Sequence, residues 1–87
     1  MDRRELQNYF RSLRPNEIRE FRMQYLGEMP QEDFAYSMFL DRKTVYRWES
    51  QKNHSTPDPI SAGLAVEKFG EQLERYYMDK QAIEATV

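Results

Sequence analysis

The sequence predicts an all-α fold, a compact bundle of five to six helices with an extended C-terminal helix. Apolar residues recur at spacings of three and four, no stretch alternates for long, and proline, aspartate and glycine fall where helices start and stop. A chain of 87 residues can bury roughly 60 to 65% of its unfolded surface, enough for one core and not for two, so residues 1–87 are read as a single domain.

The first helix is expected over Asp2 to Ser12, with Asp2 as N-cap and Leu6, Phe10 and Leu13 as its apolar stripe. Pro15 suits the first turn of the second, Glu17 complements its positive end, and Ile18, Phe21 and Tyr25 face inward until Gly27 ends it. Pro30 opens a short third helix whose first turn holds Gln31, Glu32 and Asp33 while Phe34, Ala35 and Met38 turn inward. Asp41 caps a fourth, running to about Gln51, with Val45 and Trp48 as its buried pair. Residues 52–58 form a loop, and Asp58 with Pro59 starts the last stretch, either one long helix or two broken near Gly70. Along it Ala62, Val66, Phe69, Leu73, Tyr76 and Ile83 follow steps of about three and four, interrupted by Lys80.

Charge is distributed unevenly. There are six bases against four acids in residues 1–26, none against three in 27–40, four against two in 41–54 and three against six in 55–87, for a net of −2. Two modestly basic segments thus flank an acidic one and precede an acidic tail, and local charge is what an anionic partner meets. The absence of cysteine excludes disulfides, thiolate metal sites and cysteine nucleophiles, and one histidine forms no metal cluster. Apolar runs are short and no charged-then-apolar leader is present, so a cytoplasmic, non-membrane protein is expected.

Residues 31–50, QEDFAYSMFLDRKTVYRWES, resemble the helix-turn-helix of the Xre and phage-repressor/Cro family. The matched positions are Gln31 opening the first motif helix, Ala35 four residues later, Asp41 as cap, the Thr44-Val45 pair and the Trp48-Glu49 pair, without a gap. Pro15 to Arg22 is similar to the family's opening helix and Pro57 to Phe69 to its closing helix. The resemblance covers about residues 13–70, leaving 1–12 as an N-terminal extension and 71–87 as a tail, and implies a lambda-repressor-like fold.

Each matched residue also has a physical role. A small Ala35 lets two helices cross closely. Arg22 and Glu49 resemble the family's pair tying the opening helix to the second motif helix, and such a pair is either buried or an energetically minor surface contact. The chain departs from the pattern at two positions. Phe39 stands where the turn normally has glycine, and a bulky residue at positive φ costs about 1 kcal/mol or more, so either the turn is rebuilt or burial of Phe39 offsets the strain. Pro30 stands where the family has a Ser or Thr cap.

The resemblance implies that the helix from about residue 42 to 50 is a recognition helix, with Arg42, Lys43, Tyr46, Arg47 and Ser50 outward. Arg42, Lys43 and Arg47 can donate to guanine in the major groove of double-stranded DNA, and Tyr46 can meet a thymine methyl or a phosphate. Gln31 at a helix start, and Ser50, Lys52, Asn53 and His54 after the recognition helix, are the expected phosphate contacts. The tail stripe of Val66, Phe69, Leu73, Tyr76, Tyr77 and Ile83 is expected either to pack back on the domain or to form a homodimer that spaces two recognition helices about 34 Å apart for a palindromic operator. The N-terminal segment either touches DNA backbone or packs on the tail. With no phosphate-cradling glycine loop, serine elbow or metal spacing, neither an enzyme nor a cofactor is expected. The expected function is a bacterial or phage DNA-binding regulator, repressing rather than activating because there is no room for an effector domain. The alternative is an antitoxin or adaptor whose acidic C-terminal helix binds a partner protein.

Overall fold

Every helix begins on the residue the sequence offers for it. The computed structural model describes residues 1–86, which form α1 (Arg3–Ser12), α2 (Pro15–Tyr25), α3 (Gln31–Ser37), α4 (Arg42–Glu49) and α5 (Pro59–Thr86), with no strand among them. Asp2 caps α1 reciprocally with Glu5: the Glu5 N–H donates to Asp2 Oδ1 at 2.8 Å and the Asp2 N–H to Glu5 Oε1 at 3.3 Å. Pro15 is the first residue of α2, Pro30 precedes α3, and the Asp58 carboxylate accepts the Ser61 N–H at 2.7 Å where α5 starts. Within α5 the backbone leaves helical geometry at Phe69 (φ −129°, ψ 24°), beside Gly70, so the last stretch is one helix with a kink.

Two helices end in left-handed reversals, through two residues after α2 and one after α3. After α2, the Glu28 N–H reaches back to Met23 O at 2.9 Å, with Gly27 left-handed at φ 66° and Glu28 at φ 59°. After α3, the Phe39 N–H donates to Tyr36 O at 3.0 Å and the Leu40 N–H to Ala35 O at 2.9 Å, with Phe39 itself left-handed at φ 57°. The turn is therefore not rebuilt, and burial does not compensate it, since Phe39 is 82% exposed.

The core centres on Phe10, a residue outside the stretch of family resemblance. Its ring lies 6.5 Å from that of Phe21, 6.5 Å from Phe34 and 5.8 Å from Trp48, each near edge-to-face, so α1 is the hub joining α2, α3 and α4. Ile18, Ala35, Met38, Val45, Ala62, Ala65 and Leu73 complete the interior. The N-terminal segment packs on the tail: α1 runs against α5, the ring of Tyr9 meets Tyr77 edge-on at 5.0 Å, and the terminal amino group lies 3.6 Å from Glu74.

A polar latch fastens the C-terminal arm of α5 to α2. Tyr76 Oη donates to Glu20 Oε1 at 2.7 Å, Lys80 Nζ contacts the same oxygen at 2.8 Å, and Tyr25 Oη donates to Asp79 Oδ2. The Lys80 and Tyr76 hydrogen bonds hold the Glu20 carboxyl below its ordinary range. Burial, then the bond to Glu20, pushes the Tyr76 phenol well up, while the bond to Asp79 raises Tyr25 to about 12 and burial raises Tyr9 to about 12.

These contacts correct the tail stripe's assignment to a dimer interface. Val66, Leu73 and Tyr76 are buried in the chain's own core, Phe69 packs on Phe34 at 5.7 Å, and Tyr77 is half-buried on Tyr9, leaving Ile83 exposed. Burying the stripe takes α1, and Met78, not singled out from sequence, joins Ile83 on the outer surface. No helix among the described residues is long and apolar enough to cross a membrane.

Candidate nucleic-acid interface

The shape of α4 follows from its two faces. Asp41 accepts the Lys43 N–H at 3.2 Å and starts the helix, which ends at Glu49 with Ser50 as its C-cap, two residues short of the expected Gln51. Val45 and Trp48 are buried against the core, which leaves Arg42, Lys43, Tyr46 and Arg47 on the opposite, exposed face. Among the described residues none of these three cations has an ion-pair partner, whereas Arg3, Arg22 and Lys80 elsewhere are paired.

The pair that fixes α4 against α2 is buried. Arg22 Nε and Nη2 donate to Glu49 Oε2 and Oε1, both at 2.8 Å, and the two side chains are 8% and 3% exposed. Arg22 Nη1 also donates to Met29 O at 2.8 Å, tying down the start of α3. Bidentate geometry and full satisfaction make this more than a surface contact. Gln31 joins it, its Nε2 donating to Glu49 Oε1 at 3.1 Å. The Gln31 amide is thus engaged with Glu49 and half-buried, so the expected phosphate contact is left with its remaining amide N–H and the backbone of the first turn of α3.

Three shallow clefts run from α4 towards α2. Lys43, Tyr46, Arg47 and Asn53 line the first. Tyr46 borders the second as well, together with Arg19, Gln31, Ser50, Gln51 and Lys52 around Glu49. Gln51 continues into the third, with Arg14, Pro15, Asn16 and His54. The expected phosphate contacts Ser50, Lys52, Asn53 and His54 therefore come together beside α4; the Ser50 hydroxyl accepts the Asn53 N–H at 3.1 Å and orders the loop. Loop and core are joined where Arg11 Nε donates to Pro57 O at 2.9 Å.

Sequence reasoning missed Arg14, the N-cap of α2, and Arg19 within it, both exposed cations on this surface. Arg19 precedes Arg22 by one helical turn, so the expected Arg22-Glu49 pair carried a signal that Arg19 would lie near the end of α4. The acidic arm of α5 packs on α1 and α2, and no α5 residue lines the three clefts.

No family model matches the chain, and neither a curated protein nor a solved structure matches it.

Proposed function

We propose that the chain is a sequence-specific double-stranded DNA-binding regulator that occupies an operator through α4, with α3 and α4 as its helix-turn-helix. The observation carrying this reading is the exposed face of Arg42, Lys43, Tyr46 and Arg47, free of carboxylate partners among the described residues and uncovered by the acidic arm. A helix fits the major groove, where an arginine donating to both guanine acceptors is worth about 1–3 kcal/mol of discrimination. The buried Arg22-Glu49 pair neutralises one of the two carboxylates in residues 41–54, leaving Asp41, the cap of α4, against Arg42, Lys43, Arg47 and Lys52, so the local charge is positive although the chain carries −2 overall.

Selection of bound sequences from random DNA, followed by a salt titration of the winner, tests the reading. Arg47→Ala is expected to weaken binding to the selected site much more than to unrelated DNA; equal losses on both would refute a base-reading role. Two copies on a palindromic site are part of the proposal, and sedimentation showing one monomer per site would remove that part. A second reading, an adaptor binding a basic protein through α5, draws support from exposed Met78 and Ile83 on an arm carrying Glu71, Glu74, Asp79 and Glu84. A copurifying basic protein, with no salt-sensitive DNA binding, would favour it.

A further inference from the structure

We propose that Arg19 of α2 and Arg14, the residue capping its start, form a second phosphodiester grip, holding a stretch of DNA backbone beside the groove that α4 enters. The inference rests on the DNA-binding reading above and adds to it a binding surface outside α3, α4 and their following loop.

The clefts supply the geometry. Arg19 faces Lys52 and Tyr46 across one cleft, and Arg14 faces His54 across the next. Because Tyr46 and Gln51 are each shared between neighbouring clefts, the cationic face of α4 continues without a break onto α2. A phosphate strand leaving α4 at Tyr46 therefore meets Lys52 with Arg19, then Arg14.

The ion pairs supply the charge. Glu49 lies in the Arg19 cleft, but its oxygens already accept from Arg22 and Gln31. Glu20 shares a cleft on the far side of Arg19, and its Oε1 is held by Tyr76 and Lys80, while Glu17 Oε1 accepts the Arg14 backbone N–H at 2.8 Å. Both carboxylates that share a cleft with Arg19 are thus occupied by buried or latching partners. Among the described residues neither Arg14 nor Arg19 has an ion-pair partner, so each keeps its charge for an anion. The latch on α5 accordingly has a second effect, leaving Arg19 unpaired on the side facing α4.

The test is binding of the full chain to its selected duplex between about 0.05 and 0.3 M salt, where counterion release dominates, for wild type, Arg19→Gln, Arg14→Gln, the double variant and Arg75→Gln. Arg75 lies on the outer face of α5 and serves as the control cation. Each α2 replacement is expected to reduce the slope of log K against log salt by about 0.9, the double by about 1.8, which is roughly a fivefold weakening per arginine at 0.15 M relative to 1 M. The preferred sequence should be unchanged in every variant, because phosphate contacts carry no base information. An unaltered slope in both single variants, or an equal drop for Arg75→Gln, overturns the grip while leaving the α4 reading standing. Failure of the wild-type chain to bind any duplex overturns both.

Discussion

Replacing Glu49 by Leu should be among the most damaging single changes available to this fold. The substitution roughly keeps side-chain volume but leaves the Arg22 guanidinium buried, with the Met29 carbonyl and the Met23 sulfur, at 3.3 Å, as its remaining partners. Removing one partner of a buried ion pair costs about 3–5 kcal/mol, against a total stability of about 5–15 kcal/mol for a domain. At about 4–8 °C per kcal/mol for a chain of this size, the melting temperature should fall by at least about 12 °C. Urea unfolding followed by Trp48 fluorescence measures the loss, since this one tryptophan is 2% exposed and becomes wet only on unfolding. The double variant Arg22→Met with Glu49→Leu should recover most of it, because a well-packed apolar pair substitutes for a buried ionic one at little net cost. The loss should also persist in 1 M salt, which screens exposed pairs at about 3 Å but reaches buried ones far less. A single-variant loss below about 1 kcal/mol, or a double variant as unstable as the sum of the singles, would refute the claim that this pair is buried and mutually dependent.

Phe39→Gly should stabilise the protein, by about 0.5–1 kcal/mol, because relief of left-handed strain of about 1–2 kcal/mol exceeds the extra chain entropy of glycine. A lower urea midpoint for that variant would mean the exposed ring contributes something the structure does not display. Stability should hold up to about pH 10 and decline above it. Tyr25 and Tyr9 keep their protons to about 12 in the folded chain, whereas an unfolded tyrosine ionises near 10, so rising pH favours the unfolded state across that window. Tyrosinate absorbance should therefore rise together with the change in Trp48 fluorescence; complete ionisation of all six tyrosines by about pH 11 with Trp48 undisturbed would contradict the latch.

Helix starts were legible in the sequence because capping is local: Asp2, Asp41 and Asp58 act within three residues of themselves, and Pro15 needs only its own ring. The outward residues of α4 were legible for the same reason, since Val45 and Trp48 fix which way the helix faces. The tail stripe was half legible. Its periodicity announced burial, but periodicity is blind to whether the covering surface belongs to the same chain, and here α1 and α2 cover Leu73 and Tyr76. Phe10 was visible as a core residue but not as the centre of the core, because that rank depends on three other helices meeting at its ring. Arg14 and Arg19 escaped notice because their place beside α4 arises from packing between segments some thirty residues apart, which no local pattern encodes.

The two helix ends closed by six-residue reversals share a weak point, a non-glycine residue at positive φ, Glu28 at 59° after α2 and Phe39 at 57° after α3. Gly27 takes its left-handed conformation at no cost, while at Glu28 and at Phe39 the native backbone is held against a steric preference of about 1–2 kcal/mol. Local opening releases that strain at either corner, so the Glu28 and Leu40 amides should both exchange with solvent ahead of the amides inside α2 and α4, although each closing bond measures 2.9 Å. The corner that sets the pose of α4 against α3 is thereby a yielding joint between two helices that are otherwise tightly seated.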